Sequence, residues 1–202
     1  MENYVRDKYG LHQIKKEKFI KDYGAERNNY GELSNYLSYL RLGILLGVIP
    51  DVNESLLDVG FGNGDFLRVS SKYFKNIYGF DLDYKYLPTC AIKEENLYNN
   101  YYDIITFFDS LEHFDILPNL SKLNCQYLFI SVPNCKYLND IEWFNSWKHK
   151  RPNEHLHHFN FSALYNLLDD NNYDMIYHSY FEDVIRKSIE PDNILSIIAK
   201  KR

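Results

Sequence analysis

The stretch Ser55-Leu56-Leu57-Asp58-Val59-Gly60-Phe61-Gly62-Asn63-Gly64-Asp65 decides the fold. A short apolar run ends in an acid and opens into a glycine-rich turn. That is a buried strand feeding a tight loop, with a helix expected over Asp65–Lys75 on Phe66, Leu67, Tyr73 and Phe74. Downstream, Ile77–Asp81, Asp103–Phe108 and Gln126–Val132 read as further strands. Leu164, Leu167 and Leu168 mark a late helix, and Met175–Phe181 and Ile194–Ala199 read as closing strands. Strands alternating with helices imply an α/β fold with a mostly parallel sheet covered on both faces. Upstream, residues 1–50 read as helical and amphipathic. Ile14, Phe19 and Ile20 sit among Lys15, Lys16, Lys18 and Lys21, and a second stretch from Tyr36 to Leu46 is stopped by Pro50. The expected organisation is a helical cap over 1–50 on a single unit over 51–202.

The glycine turn carries chemistry. Glycine permits positive φ and close approach of a ligand, and the following helix start offers free N–H groups. The spacing is GxGxG; the dinucleotide fingerprint wants a third glycine at position 65, where Asp65 stands and would repel pyrophosphate. No GxxxxGK[ST] loop occurs. Asp81, at the end of the second strand, can accept both hydroxyls of a ribose. Asp58 can meet the ammonium of an amino acid. Ribose plus amino acid without phosphate points to S-adenosylmethionine (SAM).

These segments resemble the first two motifs of class I SAM-dependent methyltransferases: Asp58-Val59-Gly60-Phe61-Gly62-Asn63-Gly64, then Gly79-Phe80-Asp81. Later segments resemble the ubiquinone-biosynthesis-type O-methyltransferase subgroup: Tyr102 to His113, Ser131-Val132-Pro133-Asn134, and Glu154-His155-Leu156-His157-His158-Phe159. The likeness spans about residues 55–199. It implies a Rossmann-like doubly wound sheet with an antiparallel last strand and an N-terminal helical lid. It implies cofactor contacts at Asp58, Gly60, Gly62, Gly64, Asp81, Leu82 and Phe108. Only 22 positions separate Asp81 from Asp103 (103 − 81), short for a helix plus a strand. The third strand is therefore expected as a vestige near Thr89–Lys93, with Asn96 and Leu97 either touching adenine or forming a plain loop.

Asp109, Glu112 and His113 stand at i, i+3 and i+4, so one helical turn would point them the same way. The trio resembles the acid-x-x-Glu-His motif of ubiquinone-type O-methyltransferases and of small-RNA 2′-O-methyltransferases, where a divalent metal positions a diol. The resemblance adds His157 as a fourth ligand. Two carboxylates and two imidazoles suit Mn, Fe, Co or Zn better than Mg. Without metal, His113, His157 and His158, with His155 beside them, are the candidate bases. Trp143 and Trp147, four apart, precede Lys148, His149, Lys150 and Arg151. They form either core under a loop or a clamp for a ring or phosphate, with Trp143, Trp147 and Arg151 as the substrate candidates.

Composition sets the boundaries. The chain has 202 residues, and its 23 Lys+Arg against 28 Asp+Glu give a net charge of −5, which argues against a broad nucleic-acid or membrane-surface binder. Three cysteines without a CxxC pair suggest a reducing, cytoplasmic setting, and no signal peptide or membrane span is evident. Aromatics reach 17%, mostly Tyr and Phe on expected core elements, including Tyr36 and Tyr39. The expected function is methyl transfer from SAM to a hydroxyl, or an amine, of a small-molecule acceptor. Two other readings stand beside it: a metal-dependent RNA-end or nucleotide 2′-O-methyltransferase, and a non-catalytic partner subunit of the same fold.

Overall fold

The computed structural model describes residues 3–14 and 31–202. Seven strands form the main sheet: β3 (Ser55–Val59), β4 (Asn76–Phe80), β5 (Ile92–Lys93), β6 (Tyr102–Phe108), β7 (Cys125–Pro133), β9 (Tyr173–Ser179) and β10 (Ile194–Lys201). Their order is β5-β4-β3-β6-β7-β10-β9. The first five run parallel, and β10 is antiparallel to both β7 and β9. This is the expected doubly wound sheet with its antiparallel closing strand. The order reverses at β3, so the crevice beyond the ends of β3 and β6 is the topological switch point where open α/β sheets take ligands.

Sequence dictates the middle of this sheet. Leu56, Leu57 and Val59 of β3, Ile104, Ile105 and Phe107 of β6, and Leu128, Phe129, Ile130 and Val132 of β7 are all buried. A strand covered on both faces needs such continuous apolar runs. One cluster, with Leu164, Leu167 and Leu168 of α4 (Phe161–Asp170), fills one face. A second fills the other with α1 (Gly31–Val48), through Leu42 and Leu45, and α2 (Asp65–Ser70), through Phe66 and Leu67. Helix α1 stops before Pro50 as expected. Helix α2 is shorter than its apolar pattern implies. Asn53 and Glu54 carbonyls take the N–H groups of Lys75 and Asn76, which draws the chain out of the helix and into β4. The third strand is the vestige the short spacing demands: Ile92 and Lys93 pair with Tyr78 and Gly79.

The N-terminus corrects the sequence reading. Residues 4–13 are not helical. Strands β1 (Tyr4–Asp7) and β2 (Gly10–Gln13) form a hairpin, and β2 pairs with β8 (His157–His158) in a separate three-stranded sheet. Asp7 caps the turn by accepting from the Tyr9 N–H at 2.7 Å, and Gly10 holds φ at +124°. The buried Leu11 anchors the hairpin beside Phe144 and Trp147. Phe19, Ile20, Tyr23 and Tyr30, and lysines 15, 16, 18 and 21, lie outside the described residues. Tyr36 and Tyr39 prove about half exposed rather than core.

Candidate active site

The glycine turn follows β3 and is set by two different demands. Gly60 holds φ at +77°, and a Cβ there would stand 2.5 Å from the Ser110 Cβ. This glycine lets the β3 turn pack against the end of β6. Gly62 holds φ at +58°, and among the described residues a Cβ there would meet nothing within 4 Å. Its surroundings are an open cradle of the kind a ligand fills. Asp81, at the end of β4, accepts from the Gly62 N–H at 3.0 Å and from the Asp83 N–H. It therefore ties the second motif to the first. Asp58 is buried and takes the Thr106 hydroxyl at 2.7 Å; burial pushes its carboxyl up to about 7. The Asn63 amide meets the Ser34 hydroxyl at 3.0 Å, which brings α1 to the rim of the turn.

The other expected cofactor positions divide. Leu82 is 93% exposed beside Asp81, an apolar side chain standing in the open. Asn96 is exposed and its side-chain oxygen takes the Tyr98 N–H. Leu97 is buried in the core. Phe108 meets Phe66 and Phe129 edge-on at 4.8 and 4.9 Å, and the Arg41 guanidinium lies 4.3 Å from its ring centre. Its ring is committed to protein contacts. Glu94, not singled out from sequence, is buried at the start of the 94–97 loop. It accepts from the Glu95 and Asn96 N–H groups, the Asn100 amide and the Tyr102 hydroxyl.

Past β6 lies the acidic and histidine-rich side. Leu111–His113 is a single 3-10 turn. The four expected ligands do not converge. Asp109 turns away, with φ at +50°, and its Oδ2 takes Arg41 at 2.8 Å and Arg186 at 2.6 Å. These guanidiniums hold its carboxyl far below the ordinary range against the cost of burial. His157 lies in β8, where its Nδ1 meets His12 at 2.8 Å and its Nε2 donates to the Phe114 carbonyl at 2.8 Å. Both ring nitrogens are occupied, so the metal set expected from sequence is corrected at two of its four positions.

A different trio assembles instead. Ligand atoms of Glu112, His113 and His155 lie within 4.8 Å of one another. Glu112 is buried, neither of its oxygens has a hydrogen-bond partner among the described residues, and burial with the nearby Asp109 charge raises its pKa well above the usual range. His113 donates Nδ1–H to the Glu154 carbonyl at 2.9 Å, and His155 donates Nδ1–H to the His149 carbonyl at 2.8 Å. Those bonds fix Nε2 as the basic nitrogen of each ring, the arrangement in which backbone carbonyls orient metal-binding histidines. Burial lowers His155 to about 3 and His149 to about 4.

The remaining candidates are placed by packing. His158 is buried among the rings of Tyr4, Phe144 and Trp147 at 5.0 to 5.7 Å, and burial lowers it to about 3. It is a wall residue rather than a base at the cleft. Trp147 is core, following α3 (Ile141–Ser146); Trp143 is part-buried and stacks on it at 5.4 Å. Arg151 pairs with Glu154 at 3.1 Å.

Arg41 on α1, and Glu182 and Arg186 on α5 (Glu182–Arg186), had no local sequence signal. Glu182 is fully buried, accepts from Arg41 twice at 2.8 Å and from Arg186 at 2.7 Å, and also takes the Ser131 hydroxyl at 2.6 Å.

A sequence profile of the methyltransferase-domain family matches residues 28–178. The chain belongs to that family. The methyltransferase domain also finds its fold among solved structures. Magnesium protoporphyrin IX methyltransferase from Synechocystis PCC 6803, with bound SAH, is 14% identical with a TM-score of 0.63, covering 90% of this chain and 95% of that one. A SAM-dependent methyltransferase from Clostridium acetobutylicum is 11% identical with a TM-score of 0.62, covering 90% and 99%. The methyltransferase domain of bacterial CtHen1-C is 16% identical with a TM-score of 0.56, covering 84% and 98%. No curated protein matches the sequence. Among the described residues, no helix is long and apolar enough to cross a membrane.

Proposed function

We propose that this methyltransferase domain uses SAM to methylate a hydroxyl, or an amine, of a small-molecule acceptor. The observation that carries the reading is the open space at Gly62, whose N–H is held by Asp81, on the turn that follows the buried Asp58. Asp58 meets the ammonium of the methionine part, the turn at Gly60, Gly62 and Gly64 lets its backbone approach, and Asp81 takes the ribose. Leu82 offers an apolar surface to adenine. Structural neighbours with bound SAH or SAM support the same cofactor. Of the expected 1–50 cap, the hairpin over 4–13 and α1 then cover the 51–202 unit, with the hairpin in place of part of the expected helix.

Transfer runs in line from sulfonium to acceptor and rests mainly on alignment, which supplies several kcal/mol. The acceptor lies against the end of β6, where Glu112, His113 and His155 gather. The orphaned Glu112 oxygens and the two carbonyl-anchored imidazoles fit a divalent ion of the Mn, Fe, Co or Zn kind. Such an ion would polarise an acceptor oxygen and lower its pKa. Of the expected bases, His113 and His155 stand in this cluster, and His157 and His158 do not. Net negative charge and the absence of a histidine-to-His157 convergence favour a small acceptor over an RNA end.

Calorimetry tests the cofactor first: SAM and SAH should bind the wild type and fail with Asp81→Ala. Labelled SAM is then offered with a catechol, a monophenol, a primary amine and a short RNA, with and without chelator. Methylation of a hydroxyl lost on chelation is the expected result. Transfer to RNA alone sinks the small-molecule reading, and no SAM binding sinks the enzyme reading in favour of a partner subunit.

A further inference from the structure

Four charged groups from three segments meet beside the end of β6. Arg41 comes from α1, Asp109 from the turn after β6, and Glu182 and Arg186 from α5. Their charges sum to zero: two guanidiniums, two carboxylates. Glu182 is the buried hub, and it rests on the hydroxyl of Ser131 in β7, which in turn meets Ser196 of β10 at 2.7 Å. The Arg41 side chain is 9% exposed and Glu182 is completely enclosed, whereas 35% of the Asp109 side chain is open. A knot that served stability alone would have no need to leave a carboxylate as its most exposed member.

The backbone makes the same point. Asp109 holds φ at +50°, a left-handed conformation that costs a non-glycine residue about 1 kcal/mol or more. Its N–H donates to the Ser131 carbonyl at 2.9 Å, so the strained turn is held in place from β7. Both guanidiniums land on one oxygen, Oδ2. Among the described residues, no hydrogen bond is directed at Oδ1. The next residue, Ser110, packs against Gly60 of the glycine turn and carries a buried hydroxyl without a partner among the described residues. Asp109 thus stands one residue from the junction of the glycine turn and β6, beside the place assigned above to the reacting centre.

We infer that Asp109 is an acceptor-orienting residue, that Arg41, Glu182 and Arg186 position it, and that Oδ1 takes a hydrogen-bond donor of the acceptor. This deepens, and rests on, the cofactor reading above. The acceptor class follows from the hydrogen bond left open. A hydroxyl or protonated amine finds an accepting oxygen at Oδ1, whereas a carboxylate or phosphate end finds two guanidiniums already bonded to Oδ2 and to Glu182. The same pairing sets Asp109 apart from a metal ligand or a base: its electron pairs at Oδ2 are spent, and its role is to hold and aim.

Sinefungin provides the probe, since it carries a protonated amine on carbon where SAM carries its methyl on sulfur. SAH lacks any group there. The ratio of their dissociation constants therefore reads the charge beside the methyl position without knowledge of the acceptor. In Asp109→Asn the sinefungin affinity should fall roughly tenfold, the scale of one charge-assisted hydrogen bond, while SAH binding stays within about twofold. The double variant Asp109→Asn/Arg186→Gln restores charge balance around Glu182 and should give the same loss, which separates it from a folding defect. An unchanged ratio in either variant, once circular dichroism shows it folded, overturns the inference. A wild type that binds neither compound overturns the cofactor reading instead.

Discussion

Between Asp58 and Asp81 the chain builds the proposed cofactor cradle from one continuous run: strand, glycine turn, helix, strand. The proposed acceptor side draws Arg41 from α1, Asp109 and Glu112 from the β6 turn, His155 from the loop before β8, and Glu182 and Arg186 from α5. The first region is made of backbone geometry that only glycine and a strand-end acid can supply. The second is made of long-range side-chain pairs that any surface residue could in principle supply. Backbone geometry leaves a spacing in sequence; a salt bridge between residues 41 and 182 leaves none.

The comparison is broken most severely at Glu182. Replacing it with Ala strands two guanidiniums, with only Asp109 left to share, so the fold should lose about 3–5 kcal/mol. Urea unfolding checks this. Because Glu182 is fully buried, screening by solvent gives no relief. A loss under about 1 kcal/mol would mean that the acceptor side is not held by this knot.

Two glycines sharpen the cofactor side. Gly60→Ala adds a methyl 2.5 Å from the Ser110 Cβ at a φ of +77°, so about 2–3 kcal/mol of stability should go. Gly62→Ala meets open space and should cost only about 1 kcal/mol for its φ of +58°. Cofactor affinity should nevertheless fall more than roughly tenfold, because the methyl occupies the cradle. Thermal melts with and without SAH separate the two effects. If both glycines behaved alike, the distinction between a packing glycine and a ligand glycine would be lost.

How much was legible follows the same division. The alternating strands and helices and the vestigial third strand were readable because apolar runs, turn glycines and chain length each constrain local backbone; the antiparallel closing strand came only through the family resemblance. The N-terminal hairpin was misread as helix: lysines around Ile14 suggested an amphipathic period, while the Asp7-to-Gly10 turn and the β-pairing of Leu11 with His158 depend on a partner strand far along the chain. At the candidate site, Glu112 and His113 were found by spacing, but a helical turn was assumed where a 3-10 turn with a left-handed Asp109 stands. That one backbone angle swings Asp109 from the histidines to the arginines. His155 replaces His157 because strand alternation, fixed by pairing with β2, turns His157 toward His12.

Acidification tests the histidine wall. His149 and His157 are lowered to about 4, and His155 and His158 to about 3, chiefly by burial. Between pH about 4 and 6.5 the unfolded chain takes up protons that the folded chain refuses, so stability falls as pH drops. Asp58 and Glu112, both raised, oppose this with two groups against four. His158 is surrounded by His155, His157, His12 and Lys150, whose charges add to the lowering. His158→Phe should therefore remove about 1.4 kcal/mol per pH unit from the slope in that window. Denaturation midpoints at pH 5 and 7 measure it, and an unaltered slope would mean that His158 is protonated in the folded chain.

The smallest effect belongs to Leu82, at the far edge of the cofactor side. Nothing in the fold uses this side chain: at 93% exposed it is already in water, so Leu82→Ala should leave unfolding within about 0.5 kcal/mol of wild type. Its position directly after Asp81 matters only when a ribose is held there, because the attached adenine then lies over the neighbouring chain. Covering part of a leucine is worth on the order of 1 kcal/mol, so SAH binding should weaken roughly fivefold in Leu82→Ala. Leu82→Met keeps the apolar area and should restore it. The pair isolates a contact that exists only with cofactor present. A SAH affinity indifferent to both substitutions would move adenine off Leu82 and toward the 94–97 loop, where Glu94 fixes the backbone and Asn96 is exposed.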